Sequence, residues 1–275
     1  MIRILSILVG LFFTVALAWS LLLGLLNFEI PHTVEHDFHK HPKELHLASD
    51  GALGKFDRQQ LQRGFQVYQE VCAACHSLRH VAFRDLAALG YNEAEVKAIA
   101  AGTQVPGIDP NTGEATTRAG LPTDYFPLAF ANDVAARAAN NNAIPPDLSL
   151  MTKARHDGAA YVYSLLSGYQ DPPASLPEDN RPGDGLYFNP YFTNLNLAMS
   201  PPLTAEGQVS YGDGTKPTVD RMSKDVSAFL VWTAEPKLEK RKQTGWPVLG
   251  FLLFATILGF LSCQQIWADK KKKKG

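Results

Sequence analysis

The sequence predicts a mainly α-helical domain with long loops, followed by a C-terminal transmembrane helix. Three observations carry that expectation. Amphipathic stretches of good helix formers recur between residues 56 and 234. Polar, Pro- and Gly-rich tracts such as VPGIDPNTGEATTRAGLP and YQDPPASLPEDNRPGDG separate them, too long and too polar to be core. The stretch WPVLGFLLFATILGFLSCQQIW, residues 246–267, runs for 22 positions without a charge and has Trp at both ends. A chain of 275 residues with 45% hydrophobic content can bury one sizeable core.

The first element is ILSILVGLFFTVALAWSLLLGLLNF, behind Arg3. Residues 1–28 read as a signal peptide or an N-terminal membrane anchor: the apolar length suits an anchor, and Ala16 and Ala18 ahead of Trp19 suit cleavage, the preferred reading. The apolar run starts at residue 4 and leaves no room for a transit peptide, so export is expected to be bacterial. The His-rich run HTVEHDFHKHPKELH, residues 32–46, has no regular metal-ligand spacing and is expected to be a solvated segment packed on partner subunits.

Helices are expected at Phe56–Ser77, at Asn92–Ala101 with Asn92 as cap, at Asn132–Asn140, at His156–Ser167 and at Thr218–Ala234. The last carries Val219, Met222, Val226, Phe229 and Leu230 on one face. Residues 237–245 form a linker, 246–267 span the bilayer, and 268–275 are a Lys-rich tail. At about 1.5 Å per residue the 22-residue span just crosses a hydrocarbon core of about 30 Å.

The first predicted helix of this region takes in most of VYQEVCAACHSLRH, residues 67–80, and with it the chemistry. C-x-x-C-H is the attachment pattern for c-type haem: two thiols one helical turn apart reach the two vinyl groups, and the adjacent imidazole meets the iron from the same side. Cys72 and Cys75 are thus the thioether anchors of one covalent haem c, and His76 is an axial ligand. A structural zinc site wants about four Cys or His ligands, and the remaining cysteine, Cys263, lies far away in the apolar run. A thioredoxin-like dithiol should follow a strand, whereas DRQQLQRGFQVYQEV is helix-forming.

Covalent haem sets the compartment. Charges flanking the C-terminal span nearly tie, with Lys237, Lys240, Arg241 and Lys242 before it and Lys270 to Lys274 after it, so the haem decides orientation. Residues 29–236 then lie in the periplasm, anchored to the inner membrane, and the lysine tail lies in the cytoplasm. The whole chain has a formal charge of −1. Between Asn27 and Pro236, however, there are 16 Lys and Arg against 25 Asp and Glu. Such an acidic electron-transfer domain attracts a basic protein partner in a fast, salt-sensitive encounter. Glu114, Glu178, Asp179 and Asp184, in the long loops, are the first carboxylates expected to steer it. No nucleic-acid partner is expected.

For the second axial ligand Met199 leads. It lies in NLAMSPPLT, where Pro201 and Pro202 stiffen a non-helical segment, and a thioether there raises the reduction potential. Met151 and His156 remain behind it, Met222 belongs to an apolar helix face, and His80 lies one turn beyond His76.

RGFQVYQEVCAACHSL, AARAANNNAIPPDLSLMTKARHDGAAYVYSLLSGY, GLYFNPYF, AMSPPL and DVSAFLVWTAEP, in that order and followed by one C-terminal span, resemble the cytochrome c1 family, the haem subunits of cytochrome bc1 complexes. The resemblance runs from about Gly64 to the end. It implies a cytochrome c-like haem domain in which Met199 is the sixth ligand, Arg155 and Tyr161 lie near the haem propionates, and Asn140, Pro145 and Pro146 line the pocket. It also implies a subunit of quinol–cytochrome c oxidoreductase, in a dimeric complex with cytochrome b and the Rieske iron-sulfur protein, passing electrons to a soluble or membrane-tethered c-type cytochrome. The rival readings are a free membrane-anchored electron shuttle, a terminal-oxidase haem subunit, and a haem sensor or peroxidase with an exchangeable sixth position.

Overall fold

The structure, a computed structural model, describes residues 2–28 and 33–272. Residues 273–275 of the Lys-rich tail expected at 268–275 lie outside the described residues, as does His32 of the His-rich run. The chain forms two compact units, Met1–Phe38 and His39–Gly275. The first holds α1 (Ile2–Leu26), which buries none of its side chains and is long and apolar enough to cross a membrane, and the short α2 (Val34–Phe38).

In the second unit, α3 (Arg58–Val67) starts where the Asp57 carboxylate accepts the Gln60 N–H at 3.1 Å. The helix expected to run on to Ser77 instead changes pitch: Tyr68–Cys72 is a π-helical turn, closed by the Ala73 N–H on the Tyr68 carbonyl at 2.8 Å. A 3-10 helix at Phe83–Leu89, not anticipated from the sequence, buries Phe83, Leu86 and Leu89. At three residues per turn those positions eclipse on one side, so the pattern matches this helix type. The next helix, α4 (Glu93–Ala101), has the expected cap, with Asn92 accepting from the Glu95 N–H while Glu95 accepts from the Asn92 N–H.

The tract expected to be an irregular loop after α4 is an antiparallel hairpin of β1 (Gln104–Ile108) and β2 (Ala115–Ala119), in register from Gln104 opposite Ala119 to Ile108 opposite Ala115. Both strands are mostly exposed, so no apolar alternation marks them in the sequence. The remaining elements are α5 (Asp133–Ala139), capped by Asn132, α6 (Met151–Ala154), α7 (Gly158–Leu166), the two-residue strands β3 (Tyr187–Phe188) and β4 (Asn196–Leu197), and α8 (Val219–Ala234), capped by the Thr218 hydroxyl.

The core centres on the crossing of α3 and α8. Gly64 makes the crossing possible, since a Cβ there would stand 2.1 Å from the Asp225 carbonyl oxygen. Around it Phe65, Tyr68, Phe126, Phe229 and Trp232 pack ring to ring, with Phe229 stacked on Trp232 at 5.7 Å. Beside the contact the fully buried Asp225 carboxylate accepts from Gln60 Nε2 at 3.0 Å and Arg63 Nε at 2.8 Å. Arg63 also pairs with Asp213 at 2.7 Å, which satisfies a charge that would otherwise be costly to bury.

The C-terminal helix, α9 (Leu238–Lys272), is also long and apolar enough to cross a membrane. It takes in most of residues 237–245, expected as a linker. LEKRKQT is a run of helix formers, and Leu238 is buried against the domain. The His-rich run ends packed on its own chain: the Lys43 N–H donates to Ser164 Oγ at 2.7 Å and its ammonium to Ser167 Oγ at 2.8 Å.

Candidate functional site

The π-turn sets the C-x-x-C-H segment. Beyond it the N–H groups of Cys75 and His76 both return to the Cys72 carbonyl, at 3.1 and 2.9 Å, so the two thiols and the imidazole follow within one tight turn. The Tyr68 hydroxyl donates to the His76 carbonyl at 2.9 Å and braces that turn from within the core. Extra π-turn residues often mark functional positions, and here one changes the direction in which a helix delivers Cys72.

His76 is oriented by the chain opposite. Its Nδ1 lies 2.8 Å from the Pro146 carbonyl. A carbonyl only accepts, so Nδ1 carries the proton and Nε2 keeps its lone pair for a metal. Burial lowers the pKa of the imidazole, favouring the neutral form that a metal binds. The carbonyl is itself held in place: Leu148 donates to the Ser77 carbonyl at 2.9 Å, Asp147 accepts the Arg79 N–H at 2.9 Å and pairs with its side chain at 3.3 Å, and the His80 N–H meets Ser149 Oγ at 3.2 Å. Ala129 adds a further bond to Ser77 Oγ at 2.9 Å. Residues 147–149 and Ala129 are thereby tied to residues 77–80, the stretch that follows the thiols.

Cys72 and Cys75 are both free thiols. Burial, with the neighbouring Cys75, pushes Cys72 up to about 12, so it is a protonated thiol rather than the thiolate a metal site uses. Among the described residues, no group of three or more His, Cys, Asp or Glu side chains is gathered to hold a metal ion. A thiol pair, a braced imidazole with an open Nε2 and no metal cage among the described residues is a donor set that fits covalent haem.

A second group of predicted residues gathers around Tyr169. Its hydroxyl donates to the Met199 carbonyl at 3.0 Å, which anchors the half-buried methionine. Tyr161 and Tyr187 lie beside Tyr169, and burial raises the pKa of Tyr161 and of Tyr169. The Arg155 guanidinium stands by Tyr161 and opposes the upward shift of its phenol. Arg155 is exposed and, among the described residues, has no carboxylate in ion-pair reach, so it is free to take an anionic group. Of the other candidate ligands, Met151 is 9% exposed within the core, and the His156 side chain is 99% exposed beside Asp157. Asn140 serves locally, its Nδ2 bonded to the Ala136 carbonyl at 2.7 Å at the end of α5, and Pro145 is half-buried next to Pro146.

Tyr68, Ser77, Asp147 and Tyr169 escaped the sequence reading. Each acts through a contact with residues many positions away or through the backbone, for which a linear pattern holds no signal. A cavity of about 280 Å³ between residues 45–50, α7 and the end of α8 includes none of the predicted site residues among those lining it.

The sequence profile of the Cytochrome C1 family matches residues 47–270. Cytochrome c1 of Rhodospirillum rubrum is 44% identical over 233 residues, covering 80% of this chain and 85% of that protein. A mitochondrial cytochrome c1 heme protein of Arabidopsis thaliana is 41% identical over 252 residues, covering 91% and 80%. A Bradyrhizobium diazoefficiens protein named cytochrome b/c1 is 42% identical over 240 residues, which is 80% of this chain but 34% of that longer protein. With the match extending over most of the chain and the C-x-x-C-H turn built as such a cofactor requires, this chain is a member of the cytochrome c1 family, an electron-transport protein that carries covalently bound haem c.

Proposed function

We propose that the chain is the haem-bearing subunit of a cytochrome bc1 complex, taking electrons from a Rieske iron-sulfur protein and passing them to a soluble or membrane-tethered c-type cytochrome. Cys72 and Cys75 hold the haem, His76 and Met199 ligate its iron, and Arg155 with Tyr161 receives the propionates. The bound haem supplies reversible one-electron Fe(III)/Fe(II) exchange. The chain's own part is positional. Pro146 holds Nδ1 of His76, Tyr169 holds the backbone of Met199, and the exposed Arg155 offers a fixed positive charge to a carboxylate that would otherwise be poorly solvated.

The braced imidazole, one turn from two free thiols, is the observation that carries this reading, since only a group spanning the thiols and Nε2 uses all three. The pairing with cytochrome b draws support from the relative whose name joins cytochromes b and c1. The helix α9 anchors the domain in the inner membrane, and the extracytoplasmic assembly of c-type haem puts residues 29–236 on the periplasmic side. No substrate bond is made or broken on this chain. Within the complex it is one electron carrier of a quinol–cytochrome c oxidoreductase, and the complex is dimeric.

A tagged chain purified from membranes in mild detergent should bring cytochrome b with it, and a pulse of quinol should reduce the haem. Reduction should disappear from preparations stripped of the Rieske protein. A chain that purifies without cytochrome b, or whose haem stays oxidised under quinol, would overturn the proposal.

A further inference from the structure

We infer that the loop at residues 50–55 is a membrane-contacting tip, with Leu53 set into the boundary between headgroups and acyl chains beside the point where α9 enters the bilayer. The inference rests on reading α9 as a membrane span.

The loop is built and docked. The Asp50 carboxylate accepts the Leu47 N–H at 2.8 Å, the Asp50 N–H returns to the Leu47 carbonyl at 3.0 Å, and the Lys55 N–H closes on the Ala48 carbonyl at 2.9 Å. Gly51 takes a left-handed φ of 67°, and a Cβ at Gly54 would lie 1.9 Å from the Asp50 carbonyl oxygen, so the tight tip needs both glycines. The base is fastened to α9 by two side chains of that helix: Glu239 accepts the Phe56 N–H at 2.7 Å, and the Lys242 ammonium donates to the Ser49 carbonyl at 2.6 Å. With the backbone so constrained, Leu53 is nevertheless 77% exposed.

Its level along α9 argues for its surroundings. Glu239, Lys242, Gln243 and Trp246 share one face of that helix, and together with the tip, Leu53 included, they line a notch of about 110 Å³. Trp246 opens the apolar run, four positions after the last charge of the Lys240, Arg241 and Lys242 group. Tryptophan at such a transition marks the bilayer interface, where an aromatic body sits in lipid and its N–H near the headgroups. Leu53, sharing a notch with Trp246, is therefore at the same depth, and the exposed Lys55 beside it suits the phosphate layer. A lipid surface explains both a rigidly presented leucine and the adjoining lysine.

Site-directed incorporation of a diazirine analogue of leucine at position 53, followed by irradiation of native membranes and mass analysis of the adducts, tests this directly. The same probe at Leu252, within the apolar run of α9, and at Thr112, in the β1–β2 turn, provides the reference. Phospholipid adducts should form at positions 53 and 252, with a yield at 53 several-fold above that at 112. Water adducts or cross-links to another protein at position 53, with phospholipid adducts retained at 252, would overturn the inference and leave the span intact. Absence of phospholipid adducts at both 53 and 252 would remove the span and this inference with it.

Discussion

In the proposed site the sixth ligand sets the electronic character, and the structure fixes the backbone of the residue proposed for it, Met199. The Tyr169 hydroxyl secures its carbonyl, while Met151 is consumed by the core. Replacing the thioether by a stronger donor, as in Met199→His, should leave the haem attached and lower the midpoint potential by hundreds of millivolts, within the range of about 0.8 V that axial ligands span. Potentiometric titration of the purified variant checks this, and an unchanged potential would remove Met199 from the iron. Single carboxylates also set the acid limit. Hydrogen bonds from Arg118 and the Leu121 N–H hold Asp124 down at about 2, and those from the Thr215 N–H and Arg63 hold Asp213 down at about 2. A carboxyl that binds protons less readily when folded stabilises the fold above its unfolded pKa of about 3.9 and loses that contribution as pH falls through its folded value. Denaturant unfolding should therefore show stability declining from about pH 4 towards pH 2. The double variant Asp124→Asn, Asp213→Asn should flatten the decline, and an equal slope in both proteins would rule out these pairs as its source.

At the scale of elements the contact between α3 and α8 is the least forgiving. Gly64→Ala would improve helix propensity by roughly 1 kcal/mol. It would also force a Cβ to 2.1 Å from a backbone oxygen, so the helices must separate. The net expectation is destabilisation of about 1–3 kcal/mol in chemical denaturation; a neutral result would mean that the helices cross farther apart than described. The elements legible in the sequence were those with caps and an apolar period: Asn92, Asn132 and Thr218 open the helices expected behind them. Thr218–Ala234 shows the expected buried stripe through Met222, Val226 and Phe229. The β1–β2 hairpin was not legible, because its strands bury almost nothing and so leave no alternation. Nor was the π-turn, because Tyr68–Cys72 has the composition of an ordinary helix, while the turn forms where Tyr68 packs against Phe126 and Phe229 in the core. The thiol pair and His76 were plain from spacing. Their supports, Pro146 as an acceptor and Tyr169 as a donor, depend on tertiary approach.

For the whole molecule, the start of α9 belongs to the folded domain as much as to the anchor. Leu238 is buried, and Glu239 receives both the Phe56 N–H and Arg58 Nη2, the latter at 2.9 Å. With residues 1–28 removed, a chain ending after Thr244 should be soluble and more stable than one ending at Pro236 by about 2–4 kcal/mol, from one buried leucine and the lost hydrogen bonds. Equal unfolding midpoints for the two would contradict that role for the first turns of α9. The surplus of acidic residues between Asn27 and Pro236 predicts that electron transfer to a basic cytochrome slows steeply from low salt to about 0.3 M, as the Debye length contracts from about 30 Å at 0.01 M to under 10 Å. Glu114, Glu178, Asp179 and Asp184 are all exposed and available to such a partner. Stopped-flow rates independent of ionic strength would favour a tethered or hydrophobically docked acceptor. The most direct test of the site as a whole is the mass of the denatured, full-length protein purified from membranes, followed by fragmentation. One haem should remain on the chain, on the fragment that holds Cys72 and Cys75; a chain that loses its haem on denaturation, or carries it elsewhere, would contradict the site described.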